Sequence, residues 1–423
     1  MNSFFKKLAT IVTDRSLRNK VLFVVAVFFI FRFLSSIPVP GIDIARLNAF
    51  LSNNQFLGLF NVLSGGGLSS FSIVMLGVGG YITASIIMQV LSMMVPSLKE
   101  LMQESGEAGR RTFNQYVRLL TVPISALQAF SFIKYLQSQG AIGALSAGQL
   151  TSNIIIIVGG SMLLLWLAEL INEFGIGNGT SLVIMAGILA QIPPKISQFF
   201  FTLTSDQIPM VLLYIAIGLL VIAGVVYIYE AERPVQVTYA RQVRGIRALG
   251  GNESYLPLRL TQAGVMPIIF ASSLLLFPQF LAGLFQTSTS SHLQAISQGI
   301  TSFLQNTTLY SIVYFALVVF FTYFYTAVTF DPKQIADNLQ KNGAFVPGIR
   351  PGEATNNYIA TIVTRITLVG SLFLGIVAVL PLIVRATTGI TAFALGGTSL
   401  LIVVSVVIDL VRRMSAQVAM HEY

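Results

Sequence analysis

Cysteine is absent from this 423-residue chain, and histidine occurs only twice. The first absence excludes disulfides, thiolate metal sites and cysteine nucleophiles. Charge is also scarce: 10% of residues are Asp, Glu, Lys or Arg, where a soluble protein carries about 25%. A membrane enzyme or a proton-coupled transporter places ionisable groups at membrane depth, and here they are few. His292 and His421 fall outside every apolar run. Asp409, Glu169 and Glu173 stand near the ends of such runs, where interfacial positioning accounts for them. Arg32 is the exception inside a run, and it either snorkels to the interface or pairs with a polar neighbour. No HExxH, GxSxG or Walker motif occurs, and no pair of mid-run aspartates. The chain therefore offers no catalytic residue, no metal site and no cofactor site, and it reads as something other than an enzyme.

What fills the chain is hydrocarbon, with 54% of residues hydrophobic. A bilayer-spanning helix needs roughly 20 mostly apolar residues. Ten runs qualify, at 21–37, 73–92, 117–137, 154–172, 181–203, 208–229, 263–285, 309–330, 361–384 and 391–411. The chain is thus expected to be an all-α polytopic membrane protein with ten transmembrane helices. Residues 1–20, "MNSFFKKLATIVTDRSLRNK", are polar and basic and lack a small-residue cleavage site. They read as a retained cytosolic segment.

The net charge is +9, and its distribution orients the spans. With the N-terminus inside, all but five of the 25 basic residues lie on inside segments, the five being Arg32, Arg46, Lys134, Lys195 and Arg385. Both termini are therefore expected in the cytosol. Ten spans divide into five and five, and an odd number per half gives the halves opposite orientation, as in inverted-repeat membrane proteins. "GVGGYITAS" from Gly77 and "GVMPIIFAS" from Gly264 are a faint echo of one another. Chance likeness between two small-residue helices accounts for the echo equally well. The segment 286–308 is polar and reads as a mobile outer loop with one short amphipathic piece.

One stretch fits no ordinary span. "SGGGLSSFSIVMLGVGGYITASIIMQVL", Ser64 to Leu91, is too apolar for a loop and too rich in glycine for a lipid-facing helix. Non-helical backbone enters a membrane only where it is buried in protein or lines a cavity, so this is either a re-entrant element closing a cavity or a passive packing loop. After it, Val78, Ile82 and Ile86 form an apolar stripe beside Tyr81, Ser85, Gln89 and Ser92. A helix with one apolar and one polar stripe suits a boundary between water and lipid.

Two inside connections are long. Residues 230–260 read "EAERPVQVTYARQVRGIRALGGNESYLPLRL", in which "VQVTYA" alternates like a strand and Arg241, Arg244 and Arg247 recur every third position. Residues 331–360 read "DPKQIADNLQKNGAFVPGIRPGEATNNYIA", in which a Gly/Pro-shaped turn holds Arg350 at its tip. Charge for topology explains the arginines but not the shaped loops. Basic surfaces facing the cytosol suit an acidic macromolecular partner.

Five motifs then carry a family resemblance. "YITASIIMQVL", "INEFGIGNGTSLVIMAGI", "ADNLQKNGAFVPGIRPGE", "TRITLVGSLFLG" and "LGGTSLLIVVSVVID" stand in order and resemble the bacterial SecY protein-translocation channels from about residue 58 to residue 411. One departure is the pair Gly79–Gly80, where the family usually has a proline, which implies a looser joint before the second span.

The resemblance implies two inverted five-helix halves around a central pore, 21–205 and 206–411, followed by a cytosolic tail, 412–423. It implies a re-entrant plug helix at about 61–73 that includes Asn61, Gly65, Gly66, Gly67 and Phe71. By motif, the apolar pore ring falls on Val78, Ile82, Ile184, Ile188, Ile269 and Ile402. A lateral gate between the second and seventh spans would use Thr83, Ser85, Ile86, Gln89, Ser272 and Ser273. Arg241, Arg244, Arg247 and Arg350 would dock a motor ATPase, SecA, or a ribosome. Further implied partners are the small membrane subunits SecE and SecG, signal sequences and nascent polypeptides, and membrane lipids. The implied location is the bacterial plasma membrane, and the implied activity is export of unfolded polypeptide with lateral release of apolar helices. An inverted-repeat solute transporter is the alternative, and a membrane-embedded enzyme lacks catalytic groups.

Because the chain has no cysteine, single engineered cysteines report topology without background. A cysteine at Ser290 is expected to react with an impermeant reagent added outside, and one at Asn252 is not. The reverse pattern would overturn the orientation.

Overall fold

Each of the ten expected spans overlaps a helix, although 73–78 are turns and 203 and 391–395 lie outside the described residues. The structure, a computed structural model, describes residues 13–40, 42, 47, 61, 64–104, 106–202, 208–239, 242–244, 247–249, 253–286, 290–388 and 396–421. The spans are α1 (Arg15–Leu34), α2 (Gly79–Met94), α3 (Gly106–Ser138), α4 (Ala147–Phe174), α5 (Gly179–Thr202), α6 (Ile208–Glu230), α7 (Met266–Gln286), α9 (Thr307–Thr329), α11 (Glu353–Thr388) and α12 (Gly396–His421). Two shorter helices, α8 (Ser291–Gln305) and α10 (Pro332–Lys341), lie between them. Among the described residues four helices are long and apolar enough to cross a bilayer unaided. α2 passes the same test only together with Pro96–Met102, which is bent from it by 116°.

Polar residues mark where several helices start. Asp14 accepts from the Ser16 amide at 2.7 Å and caps α1. Ser146 and Gln149 form a reciprocal capping box on α4. Asn306 caps α9, and Asp331 caps α10 just ahead of Pro332. Inside the spans the serines and threonines bond back to carbonyls about one turn earlier, as Thr121 does to Val117 and Thr322 to Val318. A hydroxyl satisfied within its own helix adds little cost in hydrocarbon.

The core is one apolar cluster that joins α1, α2, α4, α5, α6, α7, α9, α11 and α12. Aromatic edges seal part of it: Phe270 on α7 meets Phe321 and Tyr325 on α9 with ring centres 6.0 and 5.7 Å apart. A second cluster packs α3 and α4 against Phe71, Met75 and Leu76 of the glycine-rich stretch.

The two long inside loops fold together. β1 (Glu232–Tyr239) pairs antiparallel with β4 (Glu253–Arg259) from the same loop. It also pairs with β5 (Ala344–Phe345) from the other loop, through Thr238–Phe345 and Tyr239–Ala344. Val235 and Val237 point inward while Pro234 and Gln236 are exposed, the period of two that "VQVTYA" announces. Beneath the sheet Val235, Leu258 and Val346 pack on Ile359, Ile362, Val363 and Ile366 of α11. β2 (Gln242–Arg244) and β3 (Arg247–Leu249) form a separate hairpin. The spans are all-α as expected, and the sheet is an addition outside them.

One expectation is corrected. The segment 286–308 is not a loose loop, because most of it is α8, docked on α7 where the buried Ser297 hydroxyl donates to the Ala282 carbonyl at 2.8 Å. Leu293, Ile300 and Leu304 recur at helical spacing along α8, and that spacing is what the polar composition hides.

The shared loop core gives a stability expectation. Ile359 is completely buried there, and truncating such a residue costs about 2–5 kcal/mol. Ile359→Ala should speed limited proteolysis within both 230–260 and 331–360 while helix content stays unchanged. Faster cutting in one loop only would show that the loops do not behave as one unit.

Candidate pore seal and lateral seam

Four helices contribute the six residues of the expected ring to a single apolar cluster. Val78 caps α2 and Ile82 follows one turn later. Ile184 and Ile188 are one turn apart on α5, Ile269 lies on α7 and Ile402 on α12. All six are buried, none more than 5% exposed, and all belong to the same central cluster. Branched aliphatic side chains offer water no hydrogen bonds, so where they meet across a narrow opening the opening dewets.

Next to them lies the glycine-rich stretch, and its conformation differs from the expected helix. The described part of 61–73 beyond Asn61 is a chain of turns, and the turns continue to Val78 before α2 begins. The reason is backbone handedness. Gly65, Gly66 and Gly77 have φ of 72°, 84° and 56°, and Phe71 has 41°, and none of these belongs in a right-handed helix. The turns are tied down instead by the strand-like segment after α1. The Val39 amide donates to the Phe71 carbonyl at 2.8 Å, and the Ile73 amide donates to the Ile37 carbonyl at 3.0 Å. Ser70 Oγ donates to the Ser35 carbonyl at 2.7 Å.

The front of the stretch is seated on α5. A side chain on Gly187 would overlap the Cα of Gly65, and one on Gly65 would meet the Phe31 ring of α1. One turn further along α5, Gln191 Nε2 donates to the Asn61 carbonyl at 3.1 Å. The same carbonyl accepts the Gly66 amide at 2.7 Å, and Asn61 Oδ1 accepts the Ser69 amide at 3.0 Å. Gly187 and Gln191 thus hold this stretch from the helix that also carries Ile184 and Ile188. Neither was visible as functional from the sequence, and the only trace is that a glycine and a glutamine interrupt the apolar run "MAGILAQ". The expected loose joint at Gly79–Gly80 is also corrected in part. Gly80 is buried in α2 and packed so closely on Ser125 of α3 that a Cβ would collide, whereas Gly79 has open space around it.

Between α2 and α7 runs a cavity of about 500 Å³. Ile82, Ser85 and Gln89 line it from α2, Met266 and Phe270 from α7, and Tyr325 from α9. Gln89 Nε2 donates to Ser85 Oγ at 3.0 Å, while the side-chain oxygen Oε1 of Gln89 is buried with no partner among the described residues. Ile86 is buried in the central cluster. The remaining polar residues expected at this seam make their bonds elsewhere. Thr83 Oγ1 accepts from Gln128 of α3 at 3.1 Å. Ser272 bonds the Tyr314 hydroxyl of α9 at 3.1 Å, and Ser273 is buried within α7. Ser85 and Gln89 are the polar groups of α2 in this cavity, and Arg110 and Asn114 of α3 with Asn178 and Thr180 add polar groups elsewhere in its lining.

A second cavity of about 290 Å³ is lined by Arg259, Asp409, Arg412 and Arg413 among others, and paired charges gather at this end of the helices. Arg412 of α12 donates to Glu230 and to the Tyr229 carbonyl of α6, at 3.1 and 2.8 Å. Arg413 pairs with Asp409 one turn back at 2.9 Å, and Arg259 pairs with Glu232 across the β1–β4 ladder at 3.3 Å. Glu169 pairs with Arg118 of α3 at 2.5 Å. Arg32 is exposed in the last turn of α1, where the helix dipole favours a cation. Among the described residues no group of His, Asp or Glu is arranged to hold a metal ion.

Of the expected docking arginines, Arg350 is exposed, in a turn between Gly348 and Gly352 that both have positive φ. The Thr355 hydroxyl bonds its carbonyl at 2.9 Å. Arg244 and Arg247 face each other in register across the β2–β3 hairpin. Arg241 lies outside the described residues.

Comparison with known proteins places this arrangement. A sequence model of the SecY family matches residues 72–411. The protein translocase subunit SecY of Thermus thermophilus is 42% identical over 418 residues, which cover 96% of this chain and 94% of that relative. Among solved structures, one described as the structure of a protein conducting channel aligns with a TM-score of 0.67 at 21% identity, covering 96% of this chain and 93% of that one. Sec61 in the canine ribosome–channel complex from the endoplasmic reticulum aligns with a TM-score of 0.63 at 20% identity, with the same coverage. At these identities the two structures speak to the fold.

The Gly65–Gly187 contact tests the seal. Gly187→Val leaves no room for the stretch on α5, and Ile402→Asn places a hydrated amide in the constriction. Destabilising a closed state by about 1.4 kcal/mol raises a rare open population roughly tenfold. Each variant, reconstituted into planar bilayers after its fold is checked, is expected to conduct ions where the parent is silent. Silence from both would leave these residues with a packing role only.

Proposed function

This chain belongs to the SecY family, and from that premise we propose that it is the protein-conducting channel of a bacterial plasma membrane, moving unfolded secretory polypeptides outward and releasing apolar segments sideways into the bilayer. The observation that supports the reading is a juxtaposition: six aliphatic residues share one buried cluster, and a non-helical stretch is held beside it by α5. In this reading the two act in series. The stretch around Asn61, Gly65, Gly66, Gly67 and Phe71 is the plug, and it leaves its seat when the constriction parts. Side chains that make no directional bonds can part around a chain of any sequence and close again.

The seam between α2 and α7 is the lateral exit, with Ile86, Ser85 and Gln89 on one side. Thr83 and Ser272 take a supporting role there, since they bond Gln128 and Tyr314 of neighbouring helices, and Ser273 is buried within α7. The halves 21–205 and 206–411 would open about this seam as two bodies. The first twenty residues and the tail from 412 lie in the cytosol in this orientation. SecE and SecG are the membrane partners that family membership implies, and signal sequences are the segments that open the seam. The channel performs no chemistry of its own in this reading. A cytosolic motor, SecA, or a translating ribosome supplies the work by docking on the platform formed by the two loops.

Arg350 is the sharpest point on that platform, because a turn braced by Thr355 presents an always-charged planar group to a carboxylate or phosphate. Losing one charge-assisted contact of this kind costs about 1.5–3 kcal/mol. Arg350→Glu is expected to slow motor-driven secretion by about tenfold or more at normal abundance of the protein. Normal secretion by a well-expressed variant would remove Arg350 from the docking surface. Cross-linking of a stalled secretory chain to cysteines placed at Ile82 and Ile402 tests the conduction path itself. Saturable uptake of a small solute by the purified protein would favour a transporter instead.

A further inference from the structure

A groove of about 610 Å³ opens where α3 and α4 meet, with Tyr81 of α2 also in its lining. It lies where the apolar runs of both helices end. Arg111, Asn114 and Arg118 line it from α3, and Trp166, Glu169 and Glu173 from α4. At helical spacing these form one face on each helix, opposed across the groove. Arg118 and Glu169 already pair with one another at 2.5 Å. That leaves Arg111 as a cation on one wall and Glu173 as an anion on the other, both exposed and neither ion-paired among the described residues. The same faces continue along the spans as exposed apolar side chains, Leu119 and Val122 below Arg111 and Leu163 below Trp166.

We propose that this groove is a headgroup site for a glycerophospholipid carrying both a phosphate and a primary ammonium, phosphatidylethanolamine being the bacterial-type lipid of that chemistry. The phosphate would sit against Arg111 and the side-chain amide of Asn114, the ammonium would donate to Glu173, and the acyl chains would follow the apolar ladder. Each requirement discriminates. A guanidinium binds a phosphate oxygen through directed N–H donors. A carboxylate gains a charge-assisted hydrogen bond only from a headgroup nitrogen that bears N–H, which a trimethylated choline lacks. A purely anionic glycerol headgroup leaves Glu173 facing negative charge. Trp166 at the mouth is an indole at the membrane interface, where such rings are enriched. The proposal depends on the groove alone and not on what the pore conducts.

Trp166 is the single tryptophan of the chain, so its fluorescence reports on this groove directly. The full chain, reconstituted in phosphatidylcholine, is titrated with dibrominated phosphatidylethanolamine, dibrominated phosphatidylglycerol or dibrominated phosphatidylcholine. Quenching by the ethanolamine lipid is expected to correspond to an affinity about tenfold above that for the choline lipid, with no such preference for the glycerol lipid. Glu173→Gln should abolish the ethanolamine preference and raise the glycerol lipid above choline. Arg111→Gln should instead lower the glycerol lipid below choline and leave the ethanolamine preference standing. A loss of structure would blunt all three lipids alike, so the crossed pattern separates binding from folding. Equal quenching of the parent protein by the three lipids overturns the proposal without any variant, and so does an ethanolamine preference that survives Glu173→Gln.

Discussion

Hydrocarbon cannot hydrogen-bond a peptide group, and the fold is organised around the one stretch of this chain that defies that constraint. Residues 64–78 run as turns amid ten helices. Each unpaired peptide group there would cost several kcal/mol in lipid. The stretch therefore has to be surrounded, and the other helices supply the surround. The segment after α1 pairs with it at Phe71 and Ile73. On α4, Gly160 lets the Ile73 carbonyl approach where any side chain would collide. α5 gives up a side chain at Gly187 for the same reason. Glycines on two neighbouring spans thus answer the glycines within the stretch. The central cluster then closes over Val74 and Val78, which leaves the stretch between the aliphatic constriction and the second core on α3 and α4.

The same surround holds the front of the stretch and its middle in different ways. Glycine against glycine gains little dispersion energy, because dispersion grows with the number of atoms in contact. Phe71 is held at positive φ, a conformation that costs a non-glycine residue about 1–3 kcal/mol. Ser72 Oγ is buried without a partner among the described residues, and such a group costs about 1–3 kcal/mol. These terms oppose the backbone bonds from Val39 and Ile73 and the side-chain bond from Gln191. The front of the stretch is thus held on α5 by a few directional bonds, whereas Leu68, Phe71, Met75 and Leu76 behind it are fully buried in the second core with α3 and α4.

Much of the architecture was legible because membrane spans are written locally. Ten apolar runs became ten helices, since each run must satisfy its own backbone. The alternation in "VQVTYA" became β1, and the motif-borne residues Ile184, Ile188, Ile269 and Ile402 all reached the same cluster. What stayed hidden depended on distance in sequence or on handedness. The β1–β5 pairing joins Thr238 to Phe345 across more than a hundred residues, and no local pattern announces it. Turns in place of the expected helix at 64–73 follow from positive φ at Gly65, Gly66 and Phe71, which composition permits but does not dictate. Gly187 and Gln191 have meaning only once Gly65 and Asn61 are opposite them. The helix α8 was masked by its serines and threonines, although Leu293, Ile300 and Leu304 already stood at its spacing.

The sheet that unites the inside loops bears on how force could reach the spans. β1 leaves α6 directly, and Arg412 of α12 grips the last turn of α6 through Glu230 and the Tyr229 carbonyl. β4 leads into α7, the helix that carries Ile269 and one side of the seam. β5 stands between α10 and α11, and α11 supplies four of the buried residues under the sheet. A push on this platform is therefore shared among α6, α7, α11 and α12. None of α1 to α5 enters the platform core. A load applied there consequently acts on one side of the α2–α7 seam more than on the other. Among the described residues the side-chain bonds of Thr83, Ser85 and Ser272 stay within their own helices or run to α3 and α9, so in the proposed reading the seam can part without breaking them. Rigid packing under the loops and a weakly bonded seam are thus complementary, since a load on a stiff body is taken up at its least-bonded boundary.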